Sequence, residues 1–161
     1  PLLQKNGIRL QGLGELDRLP DDVLAVLRET EALTADATKM ILRLALSYGG
    51  QDEILFAAKS MAQQVKEGAC DIQNLTVEKL RASLYDASMP NVDLVIRTAG
   101  EQRLSGFLLW QTSYAEFYFS SSLWPEFTPT DFLHALEDYA SRVRRFGRVL
   151  ENDPAVEAPS S

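Results

Sequence analysis

The sequence predicts an α/β fold in which a mostly parallel sheet is flanked by helices. Two observations carry this prediction. Short apolar segments with strand character alternate along the chain with longer segments whose apolar residues recur at helical spacing, an order typical of sheets built with helical crossovers. Residues 40–46 are apolar apart from one arginine, as expected of a parallel strand covered on both faces.

The first half of the chain predicts two strands, each followed by a helix. The first strand lies around Ile8, Leu10 and Leu13, and the first helix spans residues 21 to about 33. The second strand ends at a Tyr-Gly-Gly turn, and a helix from about 51 to 67 follows it. The apolar face of the first helix is predicted to hold Val23, Val26, Leu27, Thr30 and Leu33. The stripe of the second helix is predicted to hold Ile54, Leu55, Ala58, Met61, Ala62 and Val65.

The second half predicts a short helix, two short strands and a last helix. The short helix begins near Thr76, a suitable N-cap, the strands cover residues 92–96 and 117–119, and the last helix begins at residues 128–131. Its buried face is predicted to hold Phe132, Leu136, Tyr139, Ala140 and Val143. We expect residues 1–150 to form one folded region and residues 151–161, which are rich in Pro, Ala, Ser and acid, to be a disordered tail.

Length, charge and cysteine content narrow the class of protein. The chain has 161 residues, which allows one ordinary domain with a core or part of a larger one. Its net charge of −7 argues against a nucleic-acid binder that depends on neutralising phosphates, and no apolar run approaches the length of a membrane-spanning helix. The single cysteine, Cys70, permits no internal disulfide. We therefore expect a cytoplasmic protein with no nucleic-acid partner.

Two arginines and a serine follow the predicted strand at residues 92–96. Arg97, Arg103 and Ser105 come at the edge of the sheet where α/β folds bind ligands. A planar guanidinium can make two parallel charge-assisted bonds to a diphosphate, while a hydroxyl and backbone N–H groups can satisfy the remaining oxygens. Spacing alone leaves an alternative open, in which these arginines are surface cations paired with Asp93 or Glu101.

Five segments of the chain form an ordered set of motifs. In order, they are Tyr-Gly-Gly at 48–50, Ile-Arg-Thr-x-Gly-Glu-x-Arg-x-Ser-x-Phe-Leu-Leu-Trp-Gln at 96–111, Tyr-Ala-Glu-Phe-Tyr-Phe at 114–119, Leu-Trp-Pro-Glu-Phe at 123–127 and Arg-Arg-Phe-Gly at 144–147. Together these segments resemble signatures of the cis-prenyltransferase family, most closely its bacterial undecaprenyl diphosphate synthases, and the resemblance runs from about the first strand to Gly147. It implies the α/β fold of that family, of which this chain would be a part.

The resemblance also implies roles for the polar residues after the third predicted strand. Arg97, Arg103 and Ser105 would hold the diphosphate of isopentenyl diphosphate, with Leu104 contributing through its backbone. Glu116 would help to bind Mg²⁺, for which one carboxylate suffices because this ion keeps several waters and bridges phosphates.

Alternatives stay open for the carboxylates and for the arginines near the end of the chain. Glu101 would lie in the polar network beside the diphosphate, or it would be a structural partner of an arginine. Without the resemblance, Glu116 would be interpreted as a solvent-facing residue beside an aromatic strand. Near the end of the last helix the chain has a basic cluster, which comprises Arg142, Arg144, Arg145 and Arg148. These side chains would be solvated at the helix end. The resemblance implies instead that they lie near an active site at a dimer contact.

The chain departs from the family pattern in three places. Gln51 stands where arginine is usual, and Gly106 stands where asparagine is usual. The Asp-Gly-Asn-Gly-Arg-Trp phosphate loop, with the family's catalytic aspartate, does not occur, and residues 12–15 resemble it too weakly to be more than a turn. We therefore expect the carboxyl-terminal portion of a cis-prenyltransferase domain, with the catalytic residue outside this chain.

The resemblance implies condensation of isopentenyl diphosphate with an allylic prenyl diphosphate, such as farnesyl diphosphate, to give a cis-polyprenyl diphosphate. It further implies a homodimer, and the lipid product suggests peripheral membrane contact. Two other functions remain open: a noncatalytic partner subunit of a heteromeric enzyme, and a diphosphate-binding module without transfer chemistry. Six residues are either wall positions of a product tunnel or ordinary core residues: Met40, Leu42, Leu44, Leu55, Ala58 and Ala62.

Overall fold

The computed structural model describes residues 2–142, which divide into two compact units. The first comprises the residues up to Pro90 together with Leu104–Trp110, and the second comprises Asn91–Arg103 and the residues from Gln111 onward. Each unit contains one pair of parallel strands. The predicted α/β class and parallel strand direction are confirmed, with two two-stranded sheets among the described residues.

The first unit alternates helices and strands as the sequence predicts. Its elements are α1 (Leu2–Asn6), β1 (Ile8–Leu13), α2 (Asp21–Leu33), β2 (Met40–Ala45), α3 (Gly50–Lys66) and α4 (Val77–Ala82). Only α1 was not predicted, because five residues are too few to show a period. β1 and β2 pair in register from Ile8 opposite Met40 to Leu13 opposite Ala45.

Side chains of α2 bind the backbone of β1. The N–H of Leu10 donates to Thr34 Oγ1 at 3.0 Å, and the N–H of Gly12 donates to Glu31 Oε1 at 2.7 Å. These bonds satisfy two strand amides with polar side chains. The helix is thereby fixed along the strand, and Leu27 is buried between them with only 6% of its surface exposed.

Burial in the first unit differs from the predicted apolar faces. In α2 the residues Val23, Val26 and Leu33 are exposed, and Leu27 is the buried member of the predicted face. In α3 Met61 is buried as predicted, but Glu53 and Ala57, which lie outside the predicted stripe, are buried as well. The helix limits agree with the prediction to within one residue, whereas the buried faces agree only in part. Spacing identifies residues that share a face, whereas the packing partner decides which face is covered.

The strand β2 is not covered on both faces, and that prediction was wrong. Met40 is 49% exposed and Ile41 is 44% exposed, although both lie in the apolar run. Leu42 is half-buried. In the described chain, β2 pairs with β1 alone, so an apolar strand stands at a sheet edge.

The second unit contains β3 (Leu94–Arg97), β4 (Glu116–Phe119) and α5 (Pro129–Ser141). The strands pair in parallel, with Leu94 opposite Glu116 and Arg97 opposite Phe119. α5 packs against β4 and begins with a reciprocal capping box between Thr128 and Asp131.

The predicted buried face of α5 is only partly correct. Tyr139 is half-buried, whereas Phe132, Leu136 and Ala140 are exposed. Ala135, which was not predicted to lie on this face, is fully buried. Val143, the carboxyl-terminal motif 144–147, Arg148 and the predicted tail lie outside the described residues. Among residues 2–142, the helices lack the length and apolar character that crossing a membrane requires.

Candidate functional site

The backbone fixes Arg97 at the carboxyl end of β3. Arg97 is the last residue of that strand, and its carbonyl oxygen accepts the N–H of Ser120 at 2.8 Å. The next turn is held to the loop after β4, because Ala99 N–H donates to the Ser122 carbonyl at 2.8 Å and Gly100 N–H donates to the Ser120 carbonyl at 2.9 Å. Ala99 and Gly100 both have positive φ, at 62° and 68°. The loop is thus ordered at the edge where the sequence predicts anion binding.

Glu101 and Arg103 form an ion pair in this loop. Arg103 therefore pairs with a local carboxylate, as the alternative interpretation expects. The Arg103 side chain is 68% exposed, so the pair contributes little stability and its guanidinium can be redirected to an anion at small cost. Arg97 is half-buried and takes part in no ion pair within residues 2–142.

Leu104 and Ser105 belong to the first unit, where they form a tight turn at the amino end of α3. The N–H of Phe107 donates to the Leu104 carbonyl at 3.0 Å, and the N–H of Gly50 donates to the Gly106 carbonyl at 2.7 Å. Ser105 is exposed and has a φ of 49°, in the left-handed region that non-glycine residues seldom adopt. Its hydroxyl is held on a constrained, accessible backbone.

Glu116 is half-buried and paired, so its interpretation as a solvent-facing residue is wrong. It is the first residue of β4, and its N–H donates to the Asp93 carbonyl at 2.9 Å. Its Oε2 accepts from Arg142 Nη1 at 2.9 Å, and Arg142 Nη2 donates to Asp138 Oδ2 at 2.5 Å. The hydrogen bond that Arg142 donates to Glu116 raises the pKa of the guanidinium; burial opposes this effect, and the bond donated to Asp138 adds to it.

Sequence reasoning placed Arg142 in a basic cluster but did not connect it to Glu116. The spacing of four residues between Asp138 and Arg142 indicates their helical pairing. The contact with Glu116 spans 26 residues, and no local pattern signals it. Tertiary packing alone joins the end of α5 to the start of β4.

The donor set is compatible with Mg²⁺ only if the substrate supplies further oxygens. Within residues 2–142 no three His, Cys, Asp or Glu side chains are grouped so that they could hold a metal by themselves. Glu116 offers a hard carboxylate oxygen, which suits an ion that takes one or two carboxylates together with waters and phosphate oxygens. The residues therefore fit a magnesium–diphosphate complex better than a free ion.

A buried carboxylate, Glu53, was missed by the sequence analysis. It lies in the first turn of α3 and has no exposed surface. The Tyr48 hydroxyl donates to its Oε2 at 2.5 Å, and the Tyr85 N–H donates to its Oε1 at 3.3 Å. Burial, followed by the bond to Glu53, raises the pKa of Tyr48 well above its usual range. In the sequence Glu53 stands outside the predicted apolar stripe, so the pattern did not mark it as buried.

Gly50 and Gly14 stand where a neighbouring carbonyl oxygen leaves no room for a side chain. A Cβ on Gly50 would lie 2.6 Å from the Gly106 carbonyl oxygen, so the turn carrying Ser105 can approach α3 only at a glycine. Gly14, in the segment predicted to be a turn, follows β1 with a φ of 126°, and a Cβ there would collide with the Leu46 carbonyl oxygen.

Five of the six candidate tunnel-wall residues are exposed, and the sixth, Leu42, is half-buried. Met40, Leu44 and Leu55 are exposed. Ala58 and Ala62 are also exposed, and they line an apolar groove of about 390 Å³ beside α3 and α4. The packing alternative is therefore wrong for these five residues.

Sequence comparison places the chain among prenyl-transferring proteins. Residues 1–147 match the family model described as putative undecaprenyl diphosphate synthase. The isoprenyl transferase of Zymomonas mobilis is 43% identical over 145 residues, which are 90% of this chain and 58% of that protein. The ditrans,polycis-undecaprenyl-diphosphate synthase of Haemophilus ducreyi, specific for (2E,6E)-farnesyl diphosphate, is 46% identical over 90% of this chain and 60% of its own length.

Solved structures agree with the sequence comparison. Lavandulyl diphosphate synthase from Lavandula x intermedia, in complex with dimethylallyl diphosphate, has a TM-score of 0.87 and 35% identity, over 91% of this chain and 63% of that one. A probable undecaprenyl diphosphate synthase from Campylobacter jejuni has a TM-score of 0.76 and 39% identity, over 89% of this chain and 65% of that one. The chain thus spans somewhat less than two thirds of the proteins it matches.

Proposed function

The chain belongs to the undecaprenyl diphosphate synthase family of cis-prenyltransferases, and from this premise we propose that it carries the isopentenyl diphosphate-binding part of such an enzyme. The observation that carries the proposal is the position of Arg97, the last residue of β3. Hydrogen bonds fix both its carbonyl group and the turn that follows it. Arg103 and Ser105 follow within eight residues along the chain. All three lie inside the matched region.

The chemistry of these groups suits a diphosphate. Arg97 has no ion-pair partner within the described residues, and Arg103 has only the exposed pair with Glu101. Each guanidinium can therefore donate two parallel hydrogen bonds to the oxygens of a diphosphate. Ser105 adds a hydroxyl, and Leu104 adds its backbone. We assign Glu101 the role of holding Arg103 in the absence of substrate.

The proposed reaction joins isopentenyl diphosphate to an allylic prenyl diphosphate and yields a cis-polyprenyl diphosphate. A carbon–carbon bond forms, the allylic carbon–oxygen bond breaks, diphosphate departs and isopentenyl diphosphate loses a proton. When bound, Mg²⁺ would neutralise diphosphate charge, and Glu116 is the residue that would hold it. Arg97 and Arg103 bind and orient the diphosphate of isopentenyl diphosphate through the reaction.

Assembly and location form part of the proposal. We propose a homodimer, supported by exposed rings of the second unit at Tyr114, which is 69% exposed, and Trp124, which is 73% exposed. We also propose a cytoplasmic protein with peripheral contact to the membrane, supported by the lipid character of the product. Sedimentation equilibrium tests the dimer, and co-sedimentation with vesicles tests the membrane contact.

Calorimetric titration of isopentenyl diphosphate into the 161-residue chain, with and without Mg²⁺, tests the binding function. We expect saturable binding that Mg²⁺ strengthens and that Arg97→Ala or Arg103→Ala reduces at least about tenfold, the loss expected for a charge-assisted pair. Arg18→Ala is the matched control, because Arg18 is a surface arginine paired with Glu15. Equal losses in all three variants, or no binding in the unsubstituted chain, would contradict the proposal.

Incorporation of labelled isopentenyl diphosphate into extractable polyprenyl diphosphate, with farnesyl diphosphate and Mg²⁺, tests the transfer function. We expect product from a longer protein that contains this chain together with the family's phosphate loop, and none from the 161 residues alone. Mg²⁺-dependent binding without product in the longer protein would favour the noncatalytic partner subunit. Binding that is indifferent to Mg²⁺ would favour the simple diphosphate-binding module.

A further inference from the structure

Glu53 is completely buried, and the proposed function gives it no role. Both of its carboxylate oxygens are used, Oε2 by the Tyr48 hydroxyl and Oε1 by the Tyr85 N–H. A buried carboxylate is costly unless it is hydrogen-bonded. Its presence in α3, where an apolar residue would pack without that cost, indicates that it orients its partners.

Tyr48 connects Glu53 to the turn that carries Ser105. Its hydroxyl donates to Glu53 and accepts a hydrogen bond from the backbone N–H of Leu108. Its ring meets Phe107 edge to face, with centroids 6.1 Å apart. A phenol is protonated at physiological pH, and burial raises the pKa of Tyr48 further. The hydroxyl therefore donates and accepts at the same time.

The turn needs to be held because its backbone is strained. Ser105 has a φ of 49° and Leu108 a φ of 46°, and this left-handed conformation is unfavourable for residues other than glycine. Such conformations persist only where the surroundings fix them. Gly50 binds the turn at Gly106, and the Glu53–Tyr48 pair binds it at Leu108.

We propose that Glu53 and Tyr48 are positioning residues, which hold the turn of residues 105–108 in the conformation that presents the Ser105 hydroxyl to the diphosphate. Neither residue is required to touch the substrate. The inference rests on the proposed function, because it takes the Ser105 hydroxyl as a ligand of isopentenyl diphosphate.

Tyr48→Phe is the central variant, because it keeps the ring and removes the hydroxyl. Glu53→Gln is the second variant, and circular dichroism establishes whether it folds. Tyr85→Phe is the matched control: Tyr85 stacks edge-on with Tyr48 at 6.1 Å, and its backbone N–H to Glu53 survives the substitution. Both tyrosine variants therefore lose one hydroxyl from the same aromatic cluster.

The first readout is amide hydrogen exchange of the ligand-free chain. We expect Tyr48→Phe to accelerate exchange at Leu108 and in residues 105–109 at least about fivefold, as the loss of one bond in a network implies. The control should leave exchange there unchanged. This measurement needs no ligand, so it decides whether the pair holds the turn even if isopentenyl diphosphate does not bind.

The second readout is affinity for isopentenyl diphosphate in the presence of Mg²⁺, measured in a double-mutant cycle. We expect Tyr48→Phe to weaken binding about fivefold to thirtyfold. In a Ser105→Ala background the same change should weaken binding less than twofold, because a residue that acts through Ser105 has nothing left to position. A merely structural role would give equal losses in both backgrounds.

The outcomes distinguish the claim that Glu53 and Tyr48 hold the turn from the claim that the turn presents Ser105 to the diphosphate. Unchanged exchange in Tyr48→Phe overturns the proposal whatever the affinity. Faster exchange with unchanged affinity, or additive losses in the cycle, shows that the turn is held for another reason and also overturns it. No binding by the unsubstituted chain overturns the proposed function and the role of Ser105 with it, while exchange still shows whether the pair fixes the turn.

Discussion

Arg142 Nη1 donates to Glu116 Oε2 at 2.9 Å, so the cation at the end of α5 occupies the carboxylate expected to hold Mg²⁺. Arg142 is also bound to Asp138, which keeps its guanidinium in place. A metal ion that binds Glu116 must share this carboxylate with Arg142 or displace it. With Glu116 in its proposed role as metal ligand, we expect the pair to influence the Mg²⁺ concentration that the site requires.

We expect Arg142→Ala to lower the Mg²⁺ concentration that half-saturates isopentenyl diphosphate binding, by about threefold to tenfold. The physical reason is that a positive charge at hydrogen-bond distance repels a divalent cation and occupies one carboxylate oxygen. Arg142→Lys keeps the charge, so it should leave the half-saturating Mg²⁺ concentration close to that of the unsubstituted chain. Calorimetric titrations at a series of Mg²⁺ concentrations measure the effect, and an unchanged half-saturation in Arg142→Ala would count against Glu116 as the metal ligand.

Glu116→Gln is expected to remove most of the strengthening of isopentenyl diphosphate binding by Mg²⁺. The amide keeps the shape of the side chain but loses the charge that a hard cation needs. Affinity without Mg²⁺ should change less than about threefold. If the variant retained the full effect of Mg²⁺, the metal would have to be held elsewhere.

Arg97→Lys and Arg103→Lys should each weaken isopentenyl diphosphate binding by about threefold to thirtyfold, although the charge is conserved. An ammonium cannot reproduce the two parallel bonds of a guanidinium. Arg18→Lys, at the surface pair with Glu15, is the control. Calorimetric titrations of the three variants measure the affinities. Full affinity in both site variants would show that the site requires only a positive charge and not a guanidinium.

The ion pair between Arg43 and Asp86 predicts a pH dependence of stability. Arg43 Nε donates to Asp86 Oδ2 at 2.7 Å. Burial alone would raise the pKa of Asp86, but hydrogen bonds from Ser88 and Arg43 outweigh it and lower the pKa below the ordinary value for an aspartate. A lowered pKa in the folded state stabilises the protein above the unfolded pKa, and this contribution is lost as the pH falls through the folded one.

Asp86→Asn should therefore lower the free energy of unfolding at pH 7 by about 1–3 kcal/mol. The difference from the unsubstituted chain should shrink as the pH falls below about 4. Urea unfolding followed by circular dichroism at pH 7, 4 and 3 measures both effects. A difference that stays constant over this range would mean that the ionised carboxylate does not provide the stabilisation.

Gly14→Ala should destabilise the first unit by at least about 2 kcal/mol, because a Cβ adds a collision to an unfavourable φ. The collision is with the Leu46 carbonyl oxygen, beside the end of β2. Gly68→Ala separates the two effects, since Gly68 has a φ of +73° with nothing near a built Cβ. Thermal unfolding of both variants tests this, and equal losses would show that backbone conformation alone is responsible.

Local patterns were sufficient for the strands and for the helices other than α1. The predicted first helix coincides with α2, and the predicted α3 differs by one residue at each end. Thr128 and Asp131 form the capping box that their spacing indicates. These features depend on residues within a few positions of one another, so the sequence contains their full cause.

Burial was the weaker part of the prediction. The apolar run of β2 indicates a covered strand, yet Met40 and Ile41 are about half exposed. Periodicity states which side chains share a face but not how much of that face another element covers. The same limit explains why the inward side of α3 centres on Glu53 and Ala57.

The sequence by itself determined the alternation of strands and helices, the family and the polar residues after β3. The tertiary structure decided which of these residues meet. It brought Arg142 into contact with Glu116, 26 residues earlier in the chain. It also brought Glu53 within hydrogen-bond distance of the Tyr48 hydroxyl, next to the turn that carries Ser105. The physical reason is that local structure follows from neighbouring residues, whereas charged and buried contacts follow from the packing of segments distant in sequence.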